Sequence, residues 1–260
     1  MPFDLVRYHA HRRTARTGAT VHYREESSST MDDAREGATA SGESGCGAAY
    51  VAGRQSAGRG RQGRSFVSAP DVGLYVTYHF CPAHAERAPL LSIAGALATA
   101  EAIEATSSVA SELKWPNDVL HDGRKLSGIL AEARGASGGR LDVLLGIGIN
   151  VRVNPDLDPE VAAVATSIEG AGGDPPSIEE LLAALSNALE PLVALVDNDP
   201  ASLVATWREQ LVTLGRRVRL ATPSGIVEGE AVDVTERGEL VLRLDGGDTQ
   251  AFSAGDVTTA

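Results

Sequence analysis

Lysine is nearly missing from this chain. Of 23 basic residues, only Lys114 and Lys125 are lysines, which leaves 21 arginines against 35 acidic residues and a formal net charge of −12. That balance argues against broad electrostatic attachment to nucleic acid or to an anionic membrane. Cysteine is equally scarce. Cys46 and Cys81 are too few for a disulfide framework or for a zinc site built from cysteine. No apolar run approaches the roughly 18 residues needed to cross a bilayer, and the stretch through Arg16 lacks the apolar centre of a signal peptide. These absences predict a soluble cytoplasmic protein with no nucleic-acid or membrane partner. Acidic excess, missing lysine and abundant Ala and Gly have two readings: a halophilic protein kept soluble in concentrated salt, or the composition drift of a GC-rich genome.

With 260 residues, 43% of them hydrophobic, the chain can bury a core as one large domain or two smaller ones. Residues 1–20 read as an edge strand or a loose tail. Ser27-Ser28-Ser29-Thr30 followed by Met31-Asp32-Asp33 is a helix N-terminus, with side-chain caps first and favourable charge in the first turn. Apolar runs at Ala48–Gly53, Leu74–Phe80 and Leu141–Val151 read as strands, the last buried on both faces. Pro89 opens an alanine-rich helix. Ser177 with Glu180 is a capping box for an amphipathic helix. From Arg217 onward the pattern changes to short alternating runs divided by Gly-rich turns, which predicts a small antiparallel barrel. The expected division is 1–212 and 213–260.

Gly58-Arg59-Gly60-Arg61-Gln62-Gly63-Arg64 is the most unusual stretch. Arginine is a permanent cation with a forked donor suited to phosphate and carboxylate, and glycine allows the close approach an anion-cradling loop needs. The same stretch fits the dinucleotide fingerprint G-x-G-x-x-G, but Pro70 and Gly73 deny it the helix that fingerprint requires. The two lysines each sit in a polar cluster. Lys114 opens Lys114-Trp115-Pro116-Asn117-Asp118, where Asn117 suits a nucleotide or phosphate and Asp118 suits Mg2+. Lys125 lies in Arg124-Lys125-Leu126-Ser127-Gly128. Asn150 tips an apolar strand with Gly146 and Gly148, so it is a close-approach site for a ligand or simply the residue that ends the strand.

These four motifs, in this order and followed by a small C-terminal barrel, resemble the biotin protein ligase family. The resemblance covers residues 18–260. It implies an α+β fold: a mixed sheet with helices on one side, like class II tRNA synthetases, plus an SH3-like C-terminal β-barrel. It resembles the non-repressor type without an N-terminal DNA-binding domain. The activity implied is formation of biotinyl-5′-AMP from biotin and MgATP, then transfer of biotin to a lysine of the biotin carrier domain of a carboxylase. By resemblance, Ser29, Thr30, Met31, Gln55, Arg59, Gly60, Arg61, Lys125 and Gly128 contact biotin. Arg61, Arg64, Phe66, Lys114, Asn117, Asp118, Lys125 and Asn150 serve ATP, with Asp118 toward Mg2+. Lys125 and Arg61 carry the catalytic burden. Met31 replaces an asparagine found in some relatives, leaving only its backbone N–H for biotin, and Phe66 replaces a frequent tryptophan. Relatives leave room for an isologous homodimer through a sheet edge. Rival readings are lipoate or octanoate ligation on the same fold, and a non-catalytic biotinyl-AMP-binding module.

The halophile reading has a direct consequence. The melting temperature should fall as salt is removed; a melting temperature independent of salt leaves genome composition as the explanation.

Overall fold

The computed structural model describes residues 3–135 and 141–259. Seven strands form one mixed sheet: β1 (Val21–Ser27), β2 (Ala49–Gln55), β3 (Gly73–Phe80), β4 (Glu112–Lys114), β5 (Asp118–His121), β6 (Arg124–Gly135) and β7 (Leu141–Asn150). Their order is β1-β2-β3-β7-β6-β5-β4. β1 and β2 pair in parallel; every other pair is antiparallel. The parallel pair needs a crossover, and α2 (Thr30–Ser41) supplies it. Five further strands, β8 (Arg217–Thr222), β9 (Gly225–Val234), β10 (Leu240–Arg243), β11 (Thr249–Phe252) and β12 (Asp256–Thr259), form a separate antiparallel sheet in the order β11-β10-β9-β8-β12.

The first sheet is covered unequally on its two faces. Alternating residues of its central strands (Val51, Val76, Tyr78, Val143, Leu145, Ile147) join one large core with α3 (Leu90–Ser107), α5 (Ile178–Asn198) and α6 (Pro200–Glu209), while the short α4 (Pro159–Val164) follows β7. α3 is apolar almost all round because it lies between the sheet and α5, so both of its sides are buried. Each buried Leu or Ile there contributes about 1.5–3 kcal/mol of burial free energy. On the opposite face α2 packs, through a small cluster that includes Met31, Ala34, Ala38, Tyr50 and Leu144. The rest of that face stays open.

The expected capping box is present: Ser177 Oγ accepts from Glu180 N, and Glu180 Oε2 accepts from Ser177 N. One expectation fails, and one pairing is new. Residues 5–11 are not strand or tail but α1 (Leu5–His11), capped by Asp4. Its sequence shows no apolar stripe, because a single side chain anchors it. Tyr8 is fully buried, with its hydroxyl on Gly18 O and Ser186 Oγ, while Asp4 N and Arg7 reach Glu179 and Glu180 on α5. Cys46 and Cys81, too few for a framework, are bonded to each other with their Cα atoms 5.9 Å apart. Thirty-five residues separate them in sequence, and only the pairing of β2 with β3 brings them together.

Arg7 and Ser177 together hold the Glu180 carboxyl down to about 2. Its stabilising effect is therefore complete above the ordinary glutamate range and is lost as pH falls toward 2. Glu180→Gln should cost about 1 kcal/mol at neutral pH, the scale of a helix cap. Denaturant melts should show the gap to the parent narrowing below about pH 4.5.

Candidate active site

The open face of the sheet carries a cavity of about 330 Å³. It exists because side chains are missing from its floor. Gly128 on β6 pairs with Gly148 on β7, and Leu130 with Gly146. A Cβ built on Gly148 would fall 2.6 Å from two Phe66 ring carbons, and one on Gly146 would fall 2.9 Å from Met31 Sδ. Bare backbone is what lets Phe66 and Met31 lie against the strands.

Lys125 reaches this floor through an irregularity in the strand. β5 and β6 pair Val119 with Ser127 but Leu120 with Lys125, so Leu126 is an extra residue in β6. A regular strand would put Lys125 on the face of Ile129, which belongs to the large core. The bulge re-aims it. Leu126 is buried in the large core instead, and Lys125 Nζ stands beside Gly128, 3.1 Å from where a Cβ would be. It is ion-paired with Asp118 Oδ1 at 2.6 Å.

The arginine stretch forms the cavity's wall as a short hairpin. Gln55 pairs with Ser68 and Arg59 with Ser65, and the turn closes through Gln62 (φ 55°) and Gly63 (φ 74°). Each arginine has a different partner. Arg61 donates to Asn117 Oδ1 at 3.0 Å, and burial lowers its pKa from the ordinary arginine value. Arg59 pairs with Asp32 in the first turn of α2. Arg64 pairs with Asp256 of β12, in the C-terminal sheet. Asn117 itself is fixed by donating to Ile129 O.

A neutral set lines the other end. Thr30 N donates to Gln55 Oε1 at 2.8 Å, Gln55 Nε2 to Ser68 Oγ at 2.7 Å, and Thr77 Oγ1 to Thr30 Oγ1 at 2.8 Å. Ser29 caps α2 by accepting from Met31 N at 3.3 Å, so the Met31 N–H already has a partner. The cavity thus gathers Ser29, Thr30, Met31, Gln55, Arg59, Gly60, Arg61, Arg64, Phe66, Lys114, Asn117, Asp118, Lys125 and Gly128.

Asn150 is the exception. Its amide donates to Thr166 O at 2.9 Å, and it lines a neighbouring cavity on the far side of Lys125 and Phe66, with Arg124 and Arg152. Asp32 and Asp256–Thr258 were not foreseen. Asp32 reads locally as a helix first-turn acid. Asp256 arrives from more than 190 residues beyond Arg64, and no local pattern marks it. The C-terminal sheet is held near by Trp115, whose indole donates to Gly238 O at 3.0 Å and whose N–H donates to Thr213 Oγ1 at 3.0 Å.

Comparison with known proteins agrees with this geometry. Residues 25–150 match the biotin/lipoate A/B protein ligase family, and residues 213–258 match the biotin protein ligase C-terminal domain. The chain is 36% identical over 218 residues to the biotin–[acetyl-CoA-carboxylase] ligase of Mycobacterium tuberculosis, which covers 81% of this chain and 78% of that one. It is 35% identical over 223 residues to the ligase of the same name from Paracoccus denitrificans, covering 81% and 90%. The biotin protein ligase of Aquifex aeolicus in complex with biotin and ATP superposes with a TM-score of 0.79 at 27% identity, covering 93% of this chain and 99% of that one. On its sequence, its fold and the make-up of this cavity, the chain belongs to the biotin protein ligase family.

Proposed function

We propose that this chain joins biotin to ATP as biotinyl-5′-AMP, releasing pyrophosphate, and passes the biotinyl group to a lysine amine of a carboxylase carrier domain, releasing AMP. The observation that carries this reading is the convergence of Lys125, Arg59, Arg61 and Arg64 on one cavity whose other end is lined by uncharged donors and acceptors. The biotin carboxylate and the α-phosphate repel each other. Fixed cations offset that repulsion and stabilise the charge that builds on the five-coordinate phosphorus. Ser29, Thr30 and Gln55 suit the neutral ureido ring.

Lys125, Arg59 and Arg64 are paired with the chain's own carboxylates: Asp118, Asp32 and Asp256. Arriving anions take over those cations. Release of Arg59 and Arg64 lets the hairpin settle over the adenylate and keep water from the mixed anhydride. Phe66, over its bare strand, offers a face for adenine, with Lys114, Asn117 and Asn150 on the nucleotide side. Mg2+ normally takes one or two carboxylates and completes its shell with phosphates and water. Asp118 fits as such a ligand, and the ion, when bound, neutralises phosphate charge. We further read residues 213–260 as an SH3-like domain separate from 1–212, and the need for ATP supports a cytoplasmic setting. Among the described residues no helix is long and apolar enough to cross a membrane.

Incubating the protein with biotin, MgATP and a carrier domain should place biotin on the carrier lysine; lipoate in place of biotin should give nothing. Lys125→Ala should cut biotin-dependent ATP–pyrophosphate exchange by about a hundredfold or more with the fold intact, and unchanged exchange refutes the assignment. Arg61→Gly should speed loss of the adenylate. Gly148→Val, by displacing Phe66, should raise KM for ATP more than it lowers kcat.

A further inference from the structure

Cys46 and Cys81 lie beyond the far end of β3 from the ligand cavity. His79 is four residues along that strand from Tyr75, which lines the cavity, or about 13 Å at the strand rise. The two sulfurs do not stand alone. His79 and Asp142 are buried side chains, 0% and 1% exposed, and both face them. His79 Nε2 lies 3.5 Å from Cys81 Sγ and 3.1 Å from Asp142 Oδ1, and Cys81 Sγ lies 3.8 Å from that same oxygen. The ligand atoms of Cys46, His79 and Cys81 all fall within 4.8 Å of one another. Among the described residues, no other group of three or more His, Cys, Asp or Glu side chains converges in this way. His79 Nδ1 is buried with no hydrogen-bond partner, so the ring's polar contacts lie on its Nε2 side, toward sulfur and carboxylate.

We propose that, once the Cys46–Cys81 bond is reduced, Cys46, Cys81, His79 and Asp142 form a tetrahedral site for a divalent cation of the zinc class. Three of the six edges already have the spacing of zinc ligands. Bonds of about 2.3 Å to sulfur, and of about 2.0–2.1 Å to nitrogen and oxygen, place tetrahedral neighbours about 3.6 Å apart for sulfur with nitrogen or oxygen, and about 3.3 Å apart for nitrogen with oxygen. The structure has 3.5, 3.8 and 3.1 Å for those three edges. The sulfur–sulfur edge must open, to about 3.8 Å, and Cys46 Sγ, which already groups with His79 and Cys81, must swing toward Asp142; a Cα separation of 5.9 Å between the cysteines leaves room for that by side-chain rotation.

The chemistry of the donor set agrees. Two thiolates and an imidazole select zinc over the hard cations, and the carboxylate supplies the fourth place. The frame is rigid: His79 N donates to Ala48 O, Gly47 N donates to His79 O, and Phe80 pairs with Val143, next to Asp142. There is also a way in. Both cysteines are half-buried and line a surface cavity of about 300 Å³ beside Arg16 and Glu190.

Reduction by a phosphine is balanced by one water. Its oxygen ends on phosphorus as the phosphine oxide, the S–S bond breaks, and its two hydrogens end on Cys46 and Cys81. The cation then displaces those two protons to solvent.

The test uses the full chain, reduced with a phosphine without oxygen, freed of excess reagent and titrated with Co2+ and then Zn2+. The reduced chain should take up one equivalent of cobalt, with a thiolate-to-metal charge-transfer band and the intense visible bands of a tetrahedral ion. Zinc should bleach both and raise the melting temperature, and the oxidised chain should show neither response. His79→Gln should weaken cobalt binding about tenfold or more. Cys81→Ser, at a half-buried position that leaves the packed strand intact, should abolish the charge-transfer band; circular dichroism and ATP–pyrophosphate exchange report that each variant is folded. A weak octahedral spectrum overturns the proposal. So does a cobalt signal that survives in the Cys46→Ser, Cys81→Ser double variant, which would place the ion on surface histidines.

Discussion

The contact between Lys125 and Asp118 is the one on which the site depends. At 2.6 Å, with both side chains partly exposed, it adds little to stability, since such pairs contribute about 0–1 kcal/mol. Its consequence is positional. An unpaired ammonium over a glycine floor would be free to turn away into solvent; the carboxylate holds it where an incoming anion must pass. The same arrangement recurs around the cavity, with Arg59 on Asp32 and Arg64 on Asp256. Three cations are kept in place by weak, exchangeable partners, ready for stronger ones.

The sheet makes this arrangement affordable because its two faces do different work. One face is sealed by α3, α5 and α6 and supplies most of the apolar burial. The other carries α2 and the arginine hairpin, so backbone on β6 and β7 can be left bare. Glycine in a strand weakens it, and Gly128, Gly146 and Gly148 lie side by side on neighbouring strands. The loss is tolerated because every second residue of the same strands, Ile129, Leu145, Ile147 and Ile149, is anchored in the large core. At the far end of β3, the same rigid pairing presents His79 and Asp142 to the two cysteines.

Much of this was legible in the residues. Strand positions, the α5 capping box and the alanine-rich α3 follow from periodicity and caps, which are local properties. The motif clusters also announced the cavity: apart from Asn150, every candidate residue lines it. Asn150 lines the neighbouring cavity instead, because position at a strand end does not tell which neighbour an amide will meet; here it meets Thr166 O. The N-terminal α1 is not legible in the sequence, because its stability comes from Tyr8 and from α5 rather than from its own pattern. The cysteine pair was dismissed on a count, whereas the relevant partners, His79 and Asp142, are brought there by strand pairing.

By itself, then, the order of residues determined which chemical groups are available and which segments become helix or strand, because both depend on neighbours within a few positions. It did not determine which way Lys125 points. Strict alternation sends it into the core, and only the mismatch between β5 and β6, which loops Leu126 out of register, turns it to the open face. Nor did it determine that Arg64 would find Asp256, or that Trp115 would bind the C-terminal sheet to the site. Those contacts join segments 123 and 192 residues apart, and separations of that size are set by how sheets pack, not by anything encoded along a short stretch of chain.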